Sequence, residues 1–216
     1  TVQALCQELN RNHLGGPMLG NLKEDGACMY CGCDDALDFE HRDPASKRRN
    51  NKGKPVSLGN YAWWVWNGGV EAMRAEAELC DLVCANCHRM LPTSNMMQPP
   101  PKYPTEHWLN KRKKQEYVNR TKVHIGGCDN CYMKVITDAD DWWPGHNGLP
   151  HCFDFAHIDE RQFGAEVSQI VGARTTLKTA KPALDREMAP DRTRILCACC
   201  HRVETVARAA APGGSD

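Results

Sequence analysis

Two copies of one ordered cysteine pattern constrain this chain more than any other feature. Each copy begins with Cys-x-x-Cys, at residues 28–31 and again at residues 128–131. Each copy ends with Cys-x-x-Cys-His-Arg, at residues 84–89 and again at residues 197–202. Cys-x-x-Cys is the spacing of zinc knuckles, and two knuckles supply the four thiolates of a tetrahedral site. The sequence therefore predicts two structural Zn²⁺ ions per chain.

The predicted ligands form two quartets. The first quartet is Cys28, Cys31, Cys84 and Cys87, and the second quartet is Cys128, Cys131, Cys197 and Cys200. A Cys31–Cys33 pair is an alternative first knuckle, but two intervening residues suit a tight metal turn better than one. The 13 cysteines are odd in number, and this favours metal-bound thiolates in a reducing, intracellular compartment over disulfides. Redox-active thiols are the alternative, and they do not account for the paired spacing.

Between the knuckles of each copy lies a short strand-like sequence that ends in histidine. It reads Leu-Asp-Phe-Glu-His at 37–41 and Phe-Asp-Phe-Ala-His at 153–157. Alternation places Asp38 and Glu40 on one strand face and His41 on the other. The repeat predicts an α+β chain of two small tandem units, residues 1–101 and 123–216, joined by a linker helix at 102–122.

Two other segments carry structural signals. Apolar residues recur at helical spacing from Val70 to Cys80, which predicts a helix there with Glu76 on its surface side. The aromatic run 61–66 is expected to fill the core of the first unit, with base stacking as the alternative. No apolar run approaches the length of a membrane span, so no membrane partner is expected.

Basic residues are concentrated in two segments of a chain whose formal net charge is zero. Residues 102–122 hold seven basic and two acidic residues, and Thr105 can cap a helix there that runs through Arg120. Such clusters suit a phosphate backbone, although a solvated surface is the alternative. The residues predicted to contact DNA are Lys47, Arg48, Arg49, Lys52 and Lys54 in the first segment, and Lys111, Arg112, Lys113 and Lys114 in the second.

The histidines are not needed by a zinc site that four cysteines already fill. We expect Glu40 and His88 to hold a divalent cation with open positions, while His41 remains free to deprotonate a water. A cation and a general base are what phosphodiester hydrolysis requires. Arg89 and Arg42 are candidates to bind the phosphate.

Residues 37–44 (Leu-Asp-Phe-Glu-His-Arg-Asp-Pro) and 77–89 together resemble the HNH endonuclease family, most closely its zinc-stabilised ββα-metal type. That resemblance implies a two-stranded ribbon followed by a helix, with Mg²⁺ or another divalent cation as the catalytic metal. It implies His41 as general base, His88 as metal ligand and Glu40 as a second ligand. Asn60 and Asn67 are the candidates for the middle polar residue of the family.

The second copy departs from the first at one position. Ala156 stands where the first copy has Glu40, and alanine cannot bind metal. His157 and His201 keep the positions of base and knuckle histidine, and Asp154 or Asp159 are the candidates to replace the missing ligand. The simpler interpretation is a weakened or inactive second site in which His157, His201 and Arg202 contact phosphate.

The sequence thus predicts an endonuclease that hydrolyses phosphodiester bonds, with double-stranded DNA as its partner. A non-catalytic, zinc-stabilised DNA-binding protein is the alternative function. Both a monomer with a pseudo-two-fold repeat and a homodimer agree with the pattern.

Overall fold

The computed structural model describes residues 26–91, 101–158 and 166–210, and these residues form a mixed α+β structure with small sheets. The chain divides into two compact units. Unit 1 contains the described residues up to His88 together with those from Arg202 onward, and unit 2 contains those from Arg89 to His201.

Unit 1 is built on one antiparallel strand pair. Its elements are β1 (Leu37–His41), α1 (Tyr61–Trp66), α2 (Gly69–Ala77) and β2 (Cys80–Cys84), and α3 (Ala85–Met90) follows β2 directly. In the pair, Leu37 lies opposite Cys84 and His41 lies opposite Cys80. The predicted strand is confirmed. The predicted helix is too long, because pairing of Cys80 with β1 overrides the local helical spacing.

The core of unit 1 lies between α1, α2 and the strands. Its buried members are Val56, Leu58, Trp64, Met73, Ala77 and Cys80. The aromatic run enters this core only in part: Trp64 is 1% exposed, and its indole N–H donates to the carbonyl of Ser57 at 3.1 Å. Trp66 is 74% exposed. A buried indole needs such an acceptor, which the Ser57 carbonyl supplies.

Unit 2 opens with a long helix and also contains an antiparallel strand pair. Its elements are α4 (Glu106–Ile125), β3 (Lys134–Val135), β4 (Asn147–Gly148), β5 (Phe153–His157), α5 (Val167–Gly172), α6 (Leu177–Glu187) and β6 (Thr193–Cys197), and α7 (Ala198–Ala210) follows β6 directly. β5 pairs with β6 so that Phe153 lies opposite Cys197 and His157 opposite Thr193. The buried core comprises Val118, Ile170, Val171, Ala180, Leu184 and Met188.

Helix α4 begins where the sequence predicts. The hydroxyl of Thr105 accepts from the backbone N–H of Trp108 at 3.2 Å, and Gly126, whose φ is +100°, caps the end of the helix after Ile125. Both are standard ways to satisfy the groups left over at helix ends. Among the described helices, α4 included, none combines the length and the apolar character that crossing a bilayer would need.

One face of α4 is buried although it carries two lysines. Lys114, Val118 and Lys122 follow one another at four-residue intervals and are buried. The ammonium of Lys114 donates to the carbonyls of Ile170 at 3.2 Å and Ala173 at 2.6 Å. These bonds satisfy carbonyl groups at the C-terminal end of α5. This corrects the expectation for Lys114: its charge is used inside unit 2 and is not available to a phosphate.

Lys122 is a second buried lysine with a structural role. Its ammonium donates to the carbonyls of Pro150 at 3.1 Å and of Phe153. Burial lowers the pKa of Lys122 to about 8. Two of the seven basic residues in 102–122, Lys114 and Lys122, are therefore buried, and α4 exposes fewer positive charges than its sequence suggests.

Candidate functional site

The structure brings all eight predicted cysteine ligands together. Within each quartet the four Sγ atoms lie within 4.8 Å of one another. Cys31 Sγ is 3.6 Å from Cys84 Sγ, and Cys131 Sγ is 3.6 Å from Cys197 Sγ. A tetrahedron with Zn–S bonds of about 2.3 Å has edges of about 3.8 Å, whereas a disulfide would be about 2.05 Å long. Both quartets could therefore hold a Zn²⁺ ion.

The same local structure builds each quartet. In the first, the N–H of Gly32 donates to the carbonyl of Cys28 at 2.8 Å, which closes the first knuckle. Cys84 ends β2 and Cys87 lies in the first turn of α3. Cys33 lies outside the quartet, with its Sγ 3.7 Å from the carbonyl of Asp35. The Cys28–Cys31 knuckle is thus correct, and the Cys31–Cys33 alternative is wrong.

At least one cysteine in each quartet needs a nearby cation to become a thiolate. Burial raises the pKa of Cys31 and of Cys200 to about 12, so these thiols are uncharged at neutral pH when no positive charge is nearby. A bound divalent cation reverses this preference, because it favours the ionised sulfur. The donor sets, four sulfurs in each quartet, match the preference of Zn²⁺.

Beside the first quartet, His88 lies between two carboxylates of β1. Its Nδ1 is 3.1 Å from Asp38 Oδ2, and its Nε2 is 3.1 Å from Glu40 Oε2. Strand alternation puts Asp38 and Glu40 on one face, and α3 places His88 over that face. The predicted approach of Glu40 and His88 is therefore observed. The hydrogen bond to Asp38 raises the pKa of His88, and the Glu40 carboxylate at the other ring nitrogen raises it further.

Glu40 is the residue of this site best suited to bind a cation. Its side chain is 9% exposed, and its Oε1 is buried without a hydrogen-bond partner among the described residues. A buried carboxylate oxygen in that condition is costly unless something positive meets it. The nearby ammonium of Lys47 is 3.8 Å from the other oxygen, Oε2. Glu40 Oε1 and the ring of His88 thus fit a divalent cation.

Asp38 is a site residue that sequence reasoning did not assign. Besides His88, it receives two parallel hydrogen bonds from Arg202, at 2.7 Å to Oδ1 and 3.0 Å to Oδ2. Burial alone would raise the pKa of Asp38, but the bonds from His88 and Arg202 hold it at about 2. One signal could have identified it: both copies have aspartate three residues before the strand's histidine.

His41 is not free, contrary to the expectation from sequence. It is 6% exposed, and its Nε2 lies 2.8 Å from Glu76 Oε1, which also accepts from the backbone N–H of Arg48 at 2.8 Å. Glu76, expected on the surface of α2, is itself 6% exposed. A carboxylate only accepts, so Nε2 carries the proton in the neutral ring and Nδ1 is the atom left to accept one.

The matching histidine in unit 2 contacts the aspartate of its own strand, and position 156 offers no second carboxylate. His201 Nδ1 is 3.1 Å from Asp154 Oδ2, and Arg89 donates to the two oxygens of Asp154 at 3.0 and 2.9 Å. Burial would raise the pKa of Asp154, but His201 and Arg89 hold it well below its usual range. Asp154 therefore repeats the role of Asp38 and does not replace Glu40. Ala156 itself is 3% exposed.

Arg89 and Arg202 are both committed to carboxylates. Arg89 also donates to the carbonyl of His151 at 2.9 Å, and Arg202 to the carbonyl of Ala36 at 3.2 Å. Arg42 pairs with Asp81 at 3.0 Å. The expectation that these arginines bind phosphate is corrected for Arg89 and Arg202, because the guanidinium group of each already donates to a carboxylate and to a backbone carbonyl.

His157 differs from His41 in its carboxylate contact. Its Nε2 is 3.7 Å from Glu187 Oε2, which exceeds hydrogen-bonding distance. Glu187 is fully buried and also contacts Arg186 at 3.2 Å and Arg192 at 3.3 Å. Its charge is thus directed mainly at arginines. Asp159, the other candidate to replace Glu40, lies outside the described residues.

The remaining candidates divide into exposed basic groups and helix caps. Exposed basic residues occupy the turn after β1 and the outer face of α4: Arg48, Arg49, Lys52, Lys54, Lys111, Arg112 and Lys113. Asn60 caps the start of α1 through its Oδ1, and the side chain of Asn67 donates to the carbonyl of Trp63 at 2.7 Å. The contacts of both asparagines are therefore those of helix ends.

Comparison with protein-family models, with curated proteins and with solved structures finds no match for this chain.

Proposed function

We propose that this chain is a divalent-cation-dependent DNA endonuclease of the HNH type, a tandem of two HNH-like units whose active site lies in unit 1. One observation carries the proposal: Glu40 and His88 meet beside the first cysteine quartet, with a buried carboxylate oxygen that has no hydrogen-bond partner among the described residues. A module that only binds DNA has no use for such a pair. The resemblance of residues 37–44 and 77–89 to HNH enzymes supports the same function.

Glu40 and His88 would hold the cation, Mg²⁺ by preference because a carboxylate oxygen is a hard ligand. For His88 to bind through Nε2, that nitrogen must offer its lone pair, so the ring proton must sit on Nδ1. Asp38 accepts from Nδ1 and thereby selects this tautomer. When bound, the cation would neutralise charge that develops on the scissile phosphate and the leaving oxygen.

His41 is the general base in this proposal. Glu76 holds its Nε2–H, which leaves Nδ1 to take a proton from the attacking water, and the Glu76 carboxylate then stabilises the imidazolium. The Glu76–His41 pair thus follows the general arrangement of a catalytic base oriented by a third group. A base of this kind contributes about 10²–10⁴ in rate.

Duplex DNA is the proposed substrate. Lys47 lies 3.8 Å from Glu40, so a positive charge stands next to the proposed cation position, where a phosphate would enter. The basic turn continues from the half-buried Lys47 to the exposed Lys54, and the backbone N–H of Asn50 donates to the carbonyl of Lys54 at 2.9 Å within it. Basic side chains at that place would guide and hold the phosphate backbone.

A non-catalytic DNA-binding protein is the second candidate, and the burial of His41 favours it, since a base must reach its water. Nicking of a supercoiled plasmid by zinc-loaded protein, with and without Mg²⁺, separates the two. Endonuclease function predicts Mg²⁺-dependent nicking that Glu40→Gln abolishes while DNA binding persists. DNA binding without any nicking would instead support the non-catalytic DNA-binding protein.

A further inference from the structure

The least expected residue at the candidate site is Arg202, which is 164 positions away from Asp38 in sequence. Its guanidinium donates hydrogen bonds to both carboxylate oxygens of Asp38, and Asp38 also accepts a hydrogen bond from His88 Nδ1. A chain of three groups therefore runs from Arg202 through Asp38 to the proposed cation ligand. We propose that Arg202 is a positioning residue for the cation site, fixing the ring of His88 through Asp38. This inference rests on the proposed function.

The geometry shows why an arginine is needed at this point. Asp38 Oδ2 has to face His88 for the ring to keep its orientation, and a carboxylate held by one bond can rotate about its side-chain torsion. Two parallel N–H···O bonds from one guanidinium fix the plane of the carboxylate. The additional bond from Arg202 to the carbonyl of Ala36, at 3.2 Å, ties the guanidinium to the backbone just before β1.

Unit 2 contains the same three-group chain without the cation ligand. Arg89 donates two hydrogen bonds to the carboxylate of Asp154, and Asp154 also accepts a hydrogen bond from His201 Nδ1. The arrangement therefore occurs in both units, and what distinguishes unit 1 is the Glu40 carboxylate on the other ring nitrogen. Partners that orient a metal-binding histidine affect metal affinity by about 10–100-fold when removed.

The test measures Mn²⁺ binding to zinc-loaded, full-length protein by electron paramagnetic resonance. We expect Arg202→Gln to raise the Kd for Mn²⁺ about 10–100-fold. Arg202→Lys should raise the Kd by less than Arg202→Gln does, because lysine keeps the charge but cannot form two parallel bonds. The matched control is Arg208→Gln, which removes another arginine of α7, one paired with Glu204 at 3.4 Å. That control should leave the Kd unchanged.

Glu40→Gln separates failure of this inference from failure of the proposed function. If Glu40→Gln leaves Mn²⁺ binding unaltered, the proposed cation site itself is wrong. If Glu40→Gln abolishes binding while Arg202→Gln, folded and with two zinc ions, binds as the wild type does, the role of Arg202 alone is overturned. Should Arg202→Gln fail to fold, Arg202→Lys decides: an unchanged Kd overturns the positioning role.

A double-variant cycle tests whether Arg202 acts through Asp38. Asp38→Asn removes the carboxylate that Arg202 holds, so adding Arg202→Gln to Asp38→Asn should weaken Mn²⁺ binding no further. Effects that add up would mean that Arg202 acts on the site by another route, and this would overturn the proposed chain. A purely structural arginine would lower thermal stability without this pattern in metal affinity.

Discussion

Strands β1 and β5 share three of their five residues, yet their surroundings differ. Each ends in histidine, each has an aspartate three residues earlier, and each pairs with a strand that ends in a quartet cysteine. Only Glu40 of β1 adds a carboxylate to the second nitrogen of the knuckle histidine, and Ala156 of β5 does not. The two units thus share the cysteines and the histidine–aspartate–arginine contacts, and what unit 1 has in addition is the one glutamate that completes the proposed cation site.

The contact between the strand histidine and its glutamate also differs between the two units, and it is closer in unit 1. His41 lies 2.8 Å from Glu76, whereas His157 lies 3.7 Å from Glu187, whose carboxylate also faces two arginines. The carboxylate that would orient a base is therefore directed at the histidine in unit 1 and mainly at arginines in unit 2. Two independent positions, at the proposed cation ligand and at the proposed base, favour unit 1 as the site of the proposed activity.

The largest expected effect comes from the cysteine quartets. Cys87→Ser and Cys200→Ser should each remove one equivalent of zinc and unfold one unit, because binding of about 10–16 kcal/mol per structural zinc is folding free energy. Elemental analysis and thermal unfolding measure this. Cys33→Ser, just outside the first quartet, is the control and should keep two zinc ions. Full zinc content in Cys87→Ser would show that this quartet is not a zinc site.

Removing the base histidines should affect the two units unequally. We expect His41→Ala to lower the rate of plasmid nicking by about 10²–10⁴-fold, since the general base is removed. His157→Ala should leave most of the activity. Both variants must be confirmed folded and zinc-loaded before their rates are compared. Equal decreases, or a decrease with His157→Ala only, would show that unit 2 is catalytic despite Ala156.

The glutamates behind these histidines sharpen the same comparison. Glu76→Gln should slow nicking by roughly 10–100-fold, because glutamine still accepts from Nε2 but cannot stabilise the imidazolium. Glu187→Gln should leave nicking unchanged and lower the melting temperature instead, since two arginines lose a buried partner. A plasmid assay and a melting curve on each variant separate these outcomes. Slower nicking with Glu187→Gln would contradict the assignment.

Within α4, exposed and buried lysines should behave differently. Replacing Lys111, Arg112 and Lys113 by glutamine should weaken DNA binding and flatten its dependence on salt, by up to about 0.9 in log–log slope for each phosphate that is no longer neutralised. Lys114→Gln should instead destabilise unit 2, because the Lys114 ammonium is committed to two backbone carbonyls. Binding titrations at several salt concentrations provide the measurement. An unchanged slope in the triple variant would indicate a solvated helix face.

The smallest expected effect is a gain in unit 2. Ala156→Glu supplies the missing carboxylate beside His201, so a second Mn²⁺ should bind, weakly. It should remain weak because Arg194 lies directly across the ladder from position 156, where Glu40 in β1 faces Asp81. The arginine would compete for the new carboxylate. Titration of the variant with Mn²⁺ and comparison of its stoichiometry with that of the wild type test this, and an unchanged stoichiometry would contradict it.

Local sequence predicts those parts of the structure that depend on near neighbours. Cys-x-x-Cys spacing identified the knuckles, alternation identified the face shared by Asp38 and Glu40, and Thr105 identified the start of α4. The end of α2 was misplaced because Cys80 satisfies helical spacing and strand pairing alike, and only its partner on β1 decides between them. Glu76 and Lys114 were expected at the surface because charge in a sequence carries no information about distant acceptors.

By itself, then, the sequence determined the two cysteine quartets, the strand pairs that connect them and the approach of Glu40 to His88, since a metal turn and an alternating strand are set by spacing of a few residues. Only the tertiary structure decided that Glu76 holds His41, that Lys114 closes α5 and that Arg202 fixes Asp38. The contacts of Glu76 and Lys114 bury a charge and that of Arg202 with Asp38 partly buries one, and such a charge is stable only where a partner far away in sequence has been brought to meet it.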